Sequence, residues 1–167
     1  MKLRIENIPE HLIDAGYSSR KIRIILGEAA EFYVDKLFHK NLARNIILTI
    51  KFDDNFKEDG ECIVDIDARK PRCFIIRISA DMPLDDILKT LAHEITHMKQ
   101  FAKGEFQVFS QTVGTTVYDH VYIGGWKGKT QTAVGLDYFN LPWEMEANAY
   151  MIALHQQFIY TSKHFND

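Results

Sequence analysis

His93-Glu94-Ile95-Thr96-His97 gathers, within five residues, the side chains that could hold and use one metal ion. On a helix, residues four apart share a face one turn above the other, so His93 and His97 point the same way. Glu94 lies beside them, where a carboxylate can hold a water and take its proton. Two imidazole ligands plus an adjacent general base is the pattern used for zinc-assisted hydrolysis. The flanking residues read as helix: Leu91, Ile95 and Met98 recur at helical spacing and give the segment an apolar face.

A catalytic zinc usually takes three protein ligands and leaves a position for water, so a third donor is expected downstream. Leu141-Pro142-Trp143-Glu144-Met145-Glu146-Ala147-Asn148 opens the last predicted helix and offers two carboxylates. Glu144 and Glu146 are two residues apart and point in roughly opposite directions, so only one can face the metal. Glu144 is the favoured ligand and Glu146 the alternative. Asn148 shares the face of Glu144 and is expected to hydrogen-bond a ligating histidine. His155 falls on the same face approximately and is expected to be partly exposed. His39 and His164 read as surface residues. Tyr118, His120, Tyr122, Tyr138 and Tyr150 are candidate donors to a developing oxyanion, with none preferred.

The elements that must position these groups follow from patterning. Residues 1–17 read as irregular, broken by Pro9 and Gly16. Ser18 and Ser19 can cap a helix from Arg20 to about Phe38, whose stripe is Ile22, Ile25, Ala29, Tyr33 and Leu37. Three alternating segments, Asn45 to Phe52, Glu61 to Asp67 and Cys73 to Ser79, predict a small antiparallel meander with one face on the core. Asp81, Pro83, Asp85 and Asp86 mark the start of the His93 helix, which runs to about Ala102 and stops near Gly104. Glu105 to Leu141 is long for a connection in a compact domain and holds at most two irregular strands, around Val108 and Val117–Ile123. Gly124-Gly125-Trp126-Lys127-Gly128-Lys129-Thr130 lacks the first glycine of a phosphate loop, because Ile123 occupies that position; it reads as a glycine-rich turn. The fold class expected is α+β in a single domain.

Bulk properties restrict the partners. The chain has 167 residues, 46% hydrophobic and 26% charged, with a formal net charge of -3. That balance provides no general attraction for nucleic acid. Charges interrupt Met1-Lys2-Leu3-Arg4-Ile5 too early for a signal peptide, and no apolar run approaches membrane-spanning length. The expected location is the cytoplasm, that of a host cell if a phage encodes the chain. Cys62 and Cys73 lack any zinc-ribbon spacing and are expected to be reduced thiols packed as small apolar residues.

The run from His93 to Glu105, together with Leu141 to Asn148, resembles the SprT-like and related gluzincin-type zinc metallopeptidases, in a branch frequent in bacteriophage and bacterial genomes. The resemblance spans roughly residues 73–155. It implies a minimal zincin fold, a zinc cofactor, a protein or peptide substrate, and peptide-bond hydrolysis with Glu94 as general base. It also implies that residues 73–79 form an edge strand that pairs with extended substrate. The cysteine zinc ribbon found in DNA-repair members has no counterpart before Asp167, so a DNA-linked role is not expected. Two other outcomes have distinct signatures. A metal-binding module without activity would have a fourth protein ligand, and a DNA-associated protease would carry a basic stripe beside its cleft.

Overall fold

In the computed structural model the described residues are 1–65, 68–112, 120–132 and 138–165. The elements in chain order are β1 (Lys2–Glu6), α1 (Glu10–Asp14), α2 (Ser19–Leu37), α3 (Lys40–Ala43), β2 (Ile47–Asp53), β3 (Gly60–Val64), β4 (Cys73–Ser79), α4 (Leu84–Lys103), β5 (Phe106–Thr112), β6 (His120–Trp126), β7 (Lys129–Thr132), a single 3-10 turn (Tyr138–Asn140) and α5 (Pro142–Thr161). The class is α+β.

Local chemistry explains the helix ends. Ser18 is the N-cap of α2, and its hydroxyl accepts from the Lys21 N–H at 3.1 Å. Asp85 and Asp86 place negative charge in the first turn of α4. At the other end Gly104 takes a left-handed conformation with φ 69°. The Glu105 N–H then donates to the Gln100 carbonyl at 2.8 Å and the Gly104 N–H to the Phe101 carbonyl at 2.9 Å. This paired closure folds the chain back over the last turn of α4 and brings Glu105 beside Lys99.

The main sheet has the order β1-β2-β4-β3. β1 pairs parallel with β2, β2 pairs parallel with β4, and only β3 runs antiparallel, along β4. The expected antiparallel meander is therefore corrected to a mixed sheet. Alternation tells which face of a strand is covered, and it is the same whichever neighbour the strand takes. Leu48, Ile50 and Phe52 of β2 and Phe74, Ile76 and Ile78 of β4 all lie under the helices, as the pattern requires. The partner assignment is what failed. The segment expected to be irregular also changes: residues 2–6 form β1, whose Leu3 and Ile5 pack on the core, and residues 10–14 form a short helix. The strand expected over residues 73–79 is present, but it lies between β2 and β3 and is not an edge. Among the described residues the edge strand next to α4 is β3. Of the predicted strand Glu61 to Asp67, Ile66 and Asp67 lie outside the described residues.

Helices cover one face of this sheet. Ile22, Ile25, Leu26, Ala29 and Tyr33 of α2 and Ile87, Leu88, Leu91, Ala92, Ile95 and Met98 of α4 are buried over it. Truncating one such residue to alanine typically costs about 2–5 kcal/mol. Leu154 and Phe158 of α5 join the same core, with Phe158 edge-on to Tyr33 at 5.7 Å between ring centroids. α4 thus packs between sheet and α5, which fixes its register against both.

Between α4 and α5 the chain makes a second sheet, β5-β6-β7, antiparallel throughout. The glycine-rich stretch is the turn between β6 and β7. Lys127 (φ 48°) and Gly128 (φ 80°) occupy its two central positions with positive φ, the geometry of a tight hairpin turn. No helix follows it directly, so a phosphate loop is excluded at this place. Val117 lies outside the described residues.

Candidate metal centre

α4 carries His93 and His97 on one face, and their Nε2 atoms stand 3.0 Å apart. The Glu144 carboxylate comes from the first turn of α5. One of its oxygens lies 3.4 Å from Nε2 of His93 and the other 3.4 Å from Nε2 of His97. Among the described residues these three form a group of potential metal donors within 4.8 Å of one another. Glu144 is 3% exposed and His97 8% exposed, so the carboxylate and rings meet largely out of water.

The approach of Glu144 depends on how α5 begins. Pro142 sits at the start of the helix, where its missing N–H costs nothing. Trp143 stacks on Phe106 of β5 with ring centroids 4.5 Å apart, and its carbonyl accepts from Nε2 of Gln100 at 3.0 Å. The start of α5 is thereby tied both to the second sheet and to the last turns of α4.

Glu94 is 5% exposed and lies against the sheet side of α4. Burial pushes its pKa up; the two imidazoles pull it down without cancelling that effect. Gly60, the first residue of β3, explains the fit. A Cβ there would lie 2.5 Å from Cγ2 of Thr90 and 3.1 Å from both Cγ and Oε1 of Glu94. Burial works against a charged His97 ring, but Glu144, Glu94 and Gln100 around it together outweigh that and raise its pKa.

Glu146, the alternative ligand, does not join the donor group. It faces away, with Lys99 Nζ at 2.9 Å, Lys127 Nζ at 3.0 Å and Gln100 Nε2 at 3.1 Å. Burial alone would raise its pKa, but these donors lower it. Among the described residues no hydrogen bond joins Asn148 to His93 or His97. The partner of the His97 ring is Gln100, whose Oε1 lies 2.8 Å from Nδ1. Gln100 is three residues after His97, a spacing that places both on one helix face, and that spacing was the available signal.

The remaining candidates lie elsewhere. His155 is buried rather than partly exposed, and its Nε2 lies 2.9 Å from Asp85 Oδ1. His164 is also more covered than expected and pairs with Glu28 at 3.1 Å. Tyr150 is 40% exposed, its ring under Lys99 Nζ. Tyr118 and the side chains of His120, Tyr122 and Tyr138 lie outside what the structure describes. Cys62 and Cys73 are free thiols, the first half-buried and the second exposed rather than packed inside. Among the described residues no helix is long and apolar enough to cross a membrane. No family model, curated protein or solved structure compared with the chain matches it.

Proposed function

We propose that the chain is a zinc-dependent metallopeptidase of the SprT-like, gluzincin type, acting on protein or peptide substrates. The observation that supports this most is the convergence of His93, His97 and Glu144 with Glu94 buried next to them. The donor set fits the ion. Bonds of about 2.0–2.1 Å at tetrahedral angles separate neighbouring ligand atoms by about 3.4 Å. The two Nε2 atoms are 3.0 Å apart and each lies 3.4 Å from a different oxygen of Glu144, with one donor from each residue within 4.8 Å of the others. Two neutral imidazoles and one carboxylate also leave room for a water, as a catalytic site needs.

A zinc ion held there would supply Lewis acidity, lowering the pKa of a water and polarising a carbonyl. Glu94 is placed to accept the proton of the attacking water. Its buried carboxylate then delivers that proton to the nitrogen of the departing amine as the C–N bond breaks. Among the described residues β3 is an edge strand beside Glu94, and an extended peptide laid along it would be held by main-chain hydrogen bonds. A module without activity would call for a fourth protein donor, whereas the group among the described residues has three. The reading is tested by elemental analysis of the purified protein together with an assay on an unfolded protein substrate. One zinc per chain and chelator-sensitive cleavage are expected; a protein that takes up no divalent metal would refute it.

A further inference from the structure

We propose that Gln100 and Glu146 form a polarity lock that dictates which nitrogen of His97 carries the proton, so that Nε2 is left to bind the metal. The proposal rests on the metal-site reading above and assigns positioning roles to two residues that touch no ion.

The direction of the Gln100 amide follows from what accepts and what donates around it. Nε2 of Gln100 lies 3.0 Å from the Trp143 carbonyl oxygen and 3.1 Å from Oε2 of Glu146. A carbonyl and a carboxylate only accept. An amide oxygen turned towards them would face lone pairs on both sides. The amide must therefore present its NH2 to α5, and its oxygen is left facing Nδ1 of His97 at 2.8 Å. That oxygen can only accept, so Nδ1 must donate. The neutral ring then has its proton on Nδ1 and its lone pair on Nε2, directed at His93 and Glu144. Metal ligation by imidazole requires that arrangement, and the hydrogen bond at the other nitrogen is what selects it.

Glu146 is itself held. One oxygen takes Nζ of Lys99 at 2.9 Å and the other Nζ of Lys127 at 3.0 Å. Lys99 is 6% exposed and is also paired with Glu105 at 2.6 Å. Glu105 is brought there by the helix-terminating turn at Gly104. Lys127 belongs to the hairpin turn between β6 and β7. The acceptor that orients Gln100 is thus anchored from α4 and from the second sheet at once. This is also why two glutamates so near in sequence have different tasks: Glu144 is a ligand, and Glu146 sets the hydrogen-bond direction behind one.

The test compares zinc dissociation constants, by competition with a chromophoric chelator, for the full chain and its variants. Gln100→Leu should bind zinc about 10–100-fold more weakly. Glu146→Gln removes one of the two acceptors that fix the Gln100 amide and leaves the Trp143 carbonyl, so it should lose affinity in the same direction and by less. The decisive variant combines Gln100→Glu with Glu146→Gln. The new carboxylate accepts from Nδ1 of His97 and the new amide donates to that carboxylate, while the Trp143 carbonyl loses its donor. It should bind zinc more tightly than Gln100→Leu and than Gln100→Glu alone, in which the new carboxylate faces that of Glu146. A merely structural role would lower the melting temperature of these variants without favouring the swap. The proposal is overturned if Gln100→Leu binds zinc as tightly as the parent, or if the swap binds no better than Gln100→Leu. The tautomer gives a second readout, free of metal. Two-bond 1H–15N spectra at alkaline pH should show Nδ1–H on His97 in the parent and its loss in Gln100→Leu; an unchanged tautomer in that variant overturns the lock. A parent protein that takes up no zinc, while the tautomer responds as stated, refutes the metal reading and leaves the lock standing.

Discussion

Nε2 of His97 and the carboxylate of Glu144 meet at 3.4 Å although they come from different helices. Trp143 and Gln100 hold those helices together at that point, through the carbonyl-to-amide hydrogen bond of 3.0 Å. The relationship separates the two candidate glutamates. Glu144→Gln removes a donor from the group, so it should lose more zinc affinity than the roughly 10–100-fold expected for an outer partner. Glu146→Gln should stay within that range. Chelator competition on both purified variants checks the order, and the opposite order would mean that Glu146 is the ligand.

Gly60 is expected to be intolerant of a side chain. Its added Cβ would meet Thr90 Cγ2 at 2.5 Å and Glu94 at 3.1 Å. Gly60→Ala should cost about 1–3 kcal/mol of stability, as overpacking does. It should also reduce turnover by displacing Glu94, with zinc content unchanged. Thr90→Ser deletes the methyl group that lies closest, so the double variant should regain part of the lost stability. Melting curves and turnover for the three proteins decide this; no loss in Gly60→Ala would show that β3 gives way.

The two thiols should react differently. Cys73 is exposed, while Cys62 sits half-buried on β3. Burial pushes the Cys62 thiol well above its ordinary range, and the carboxylates of Glu94 and Glu61 push it further. Since the thiolate is the nucleophile, Cys62 should resist alkylation at pH 8 while Cys73 is modified. Mass spectrometry of briefly alkylated native protein measures both sites, and equal rates would contradict the burial of Cys62.

Asp85 links the start of α4 to α5 and supplies a pH dependence. Its hydrogen bond from Lys89 holds its pKa below the ordinary 3.8; partial burial opposes this and His155 adds to it. A carboxylate with a lowered folded-state pKa stabilises the fold above the unfolded value, and the contribution disappears as pH falls through the folded value. Asp85→Asn should therefore melt slightly below the parent at pH 7. The gap should be unchanged down to about pH 5 and close only below the ordinary carboxylate range. A gap that closes between pH 7 and pH 5 would contradict the lowered pKa of Asp85.

α4 was legible in the sequence because helical periodicity and the spacing of His93 and His97 are properties of one element. The glutamates at the start of α5 were legible as a pair for the same reason. What the sequence concealed was tertiary. Alternation in residues 47–53 and 73–79 marked covered faces but carried no information on parallel or antiparallel pairing. β1 has only Leu3 and Ile5 to show for itself, too few to stand out between charges. Asn148 was expected behind a ligand because it shares a face with Glu144. Gln100 holds that place because α5 crosses the last turns of α4, and Glu146 faces Lys99 and Lys127 for the same reason. Those partners depend on how two helices and a hairpin meet, which no spacing within one helix records.

The central claim is that Glu94 moves the proton in a reaction for which His93, His97 and Glu144 hold the metal. It is tested most directly by measuring zinc content and peptide cleavage together in Glu94→Gln. The account predicts one zinc per chain, as in the parent, and cleavage reduced to background. Cleavage persisting at near-parent rates in that variant would contradict it.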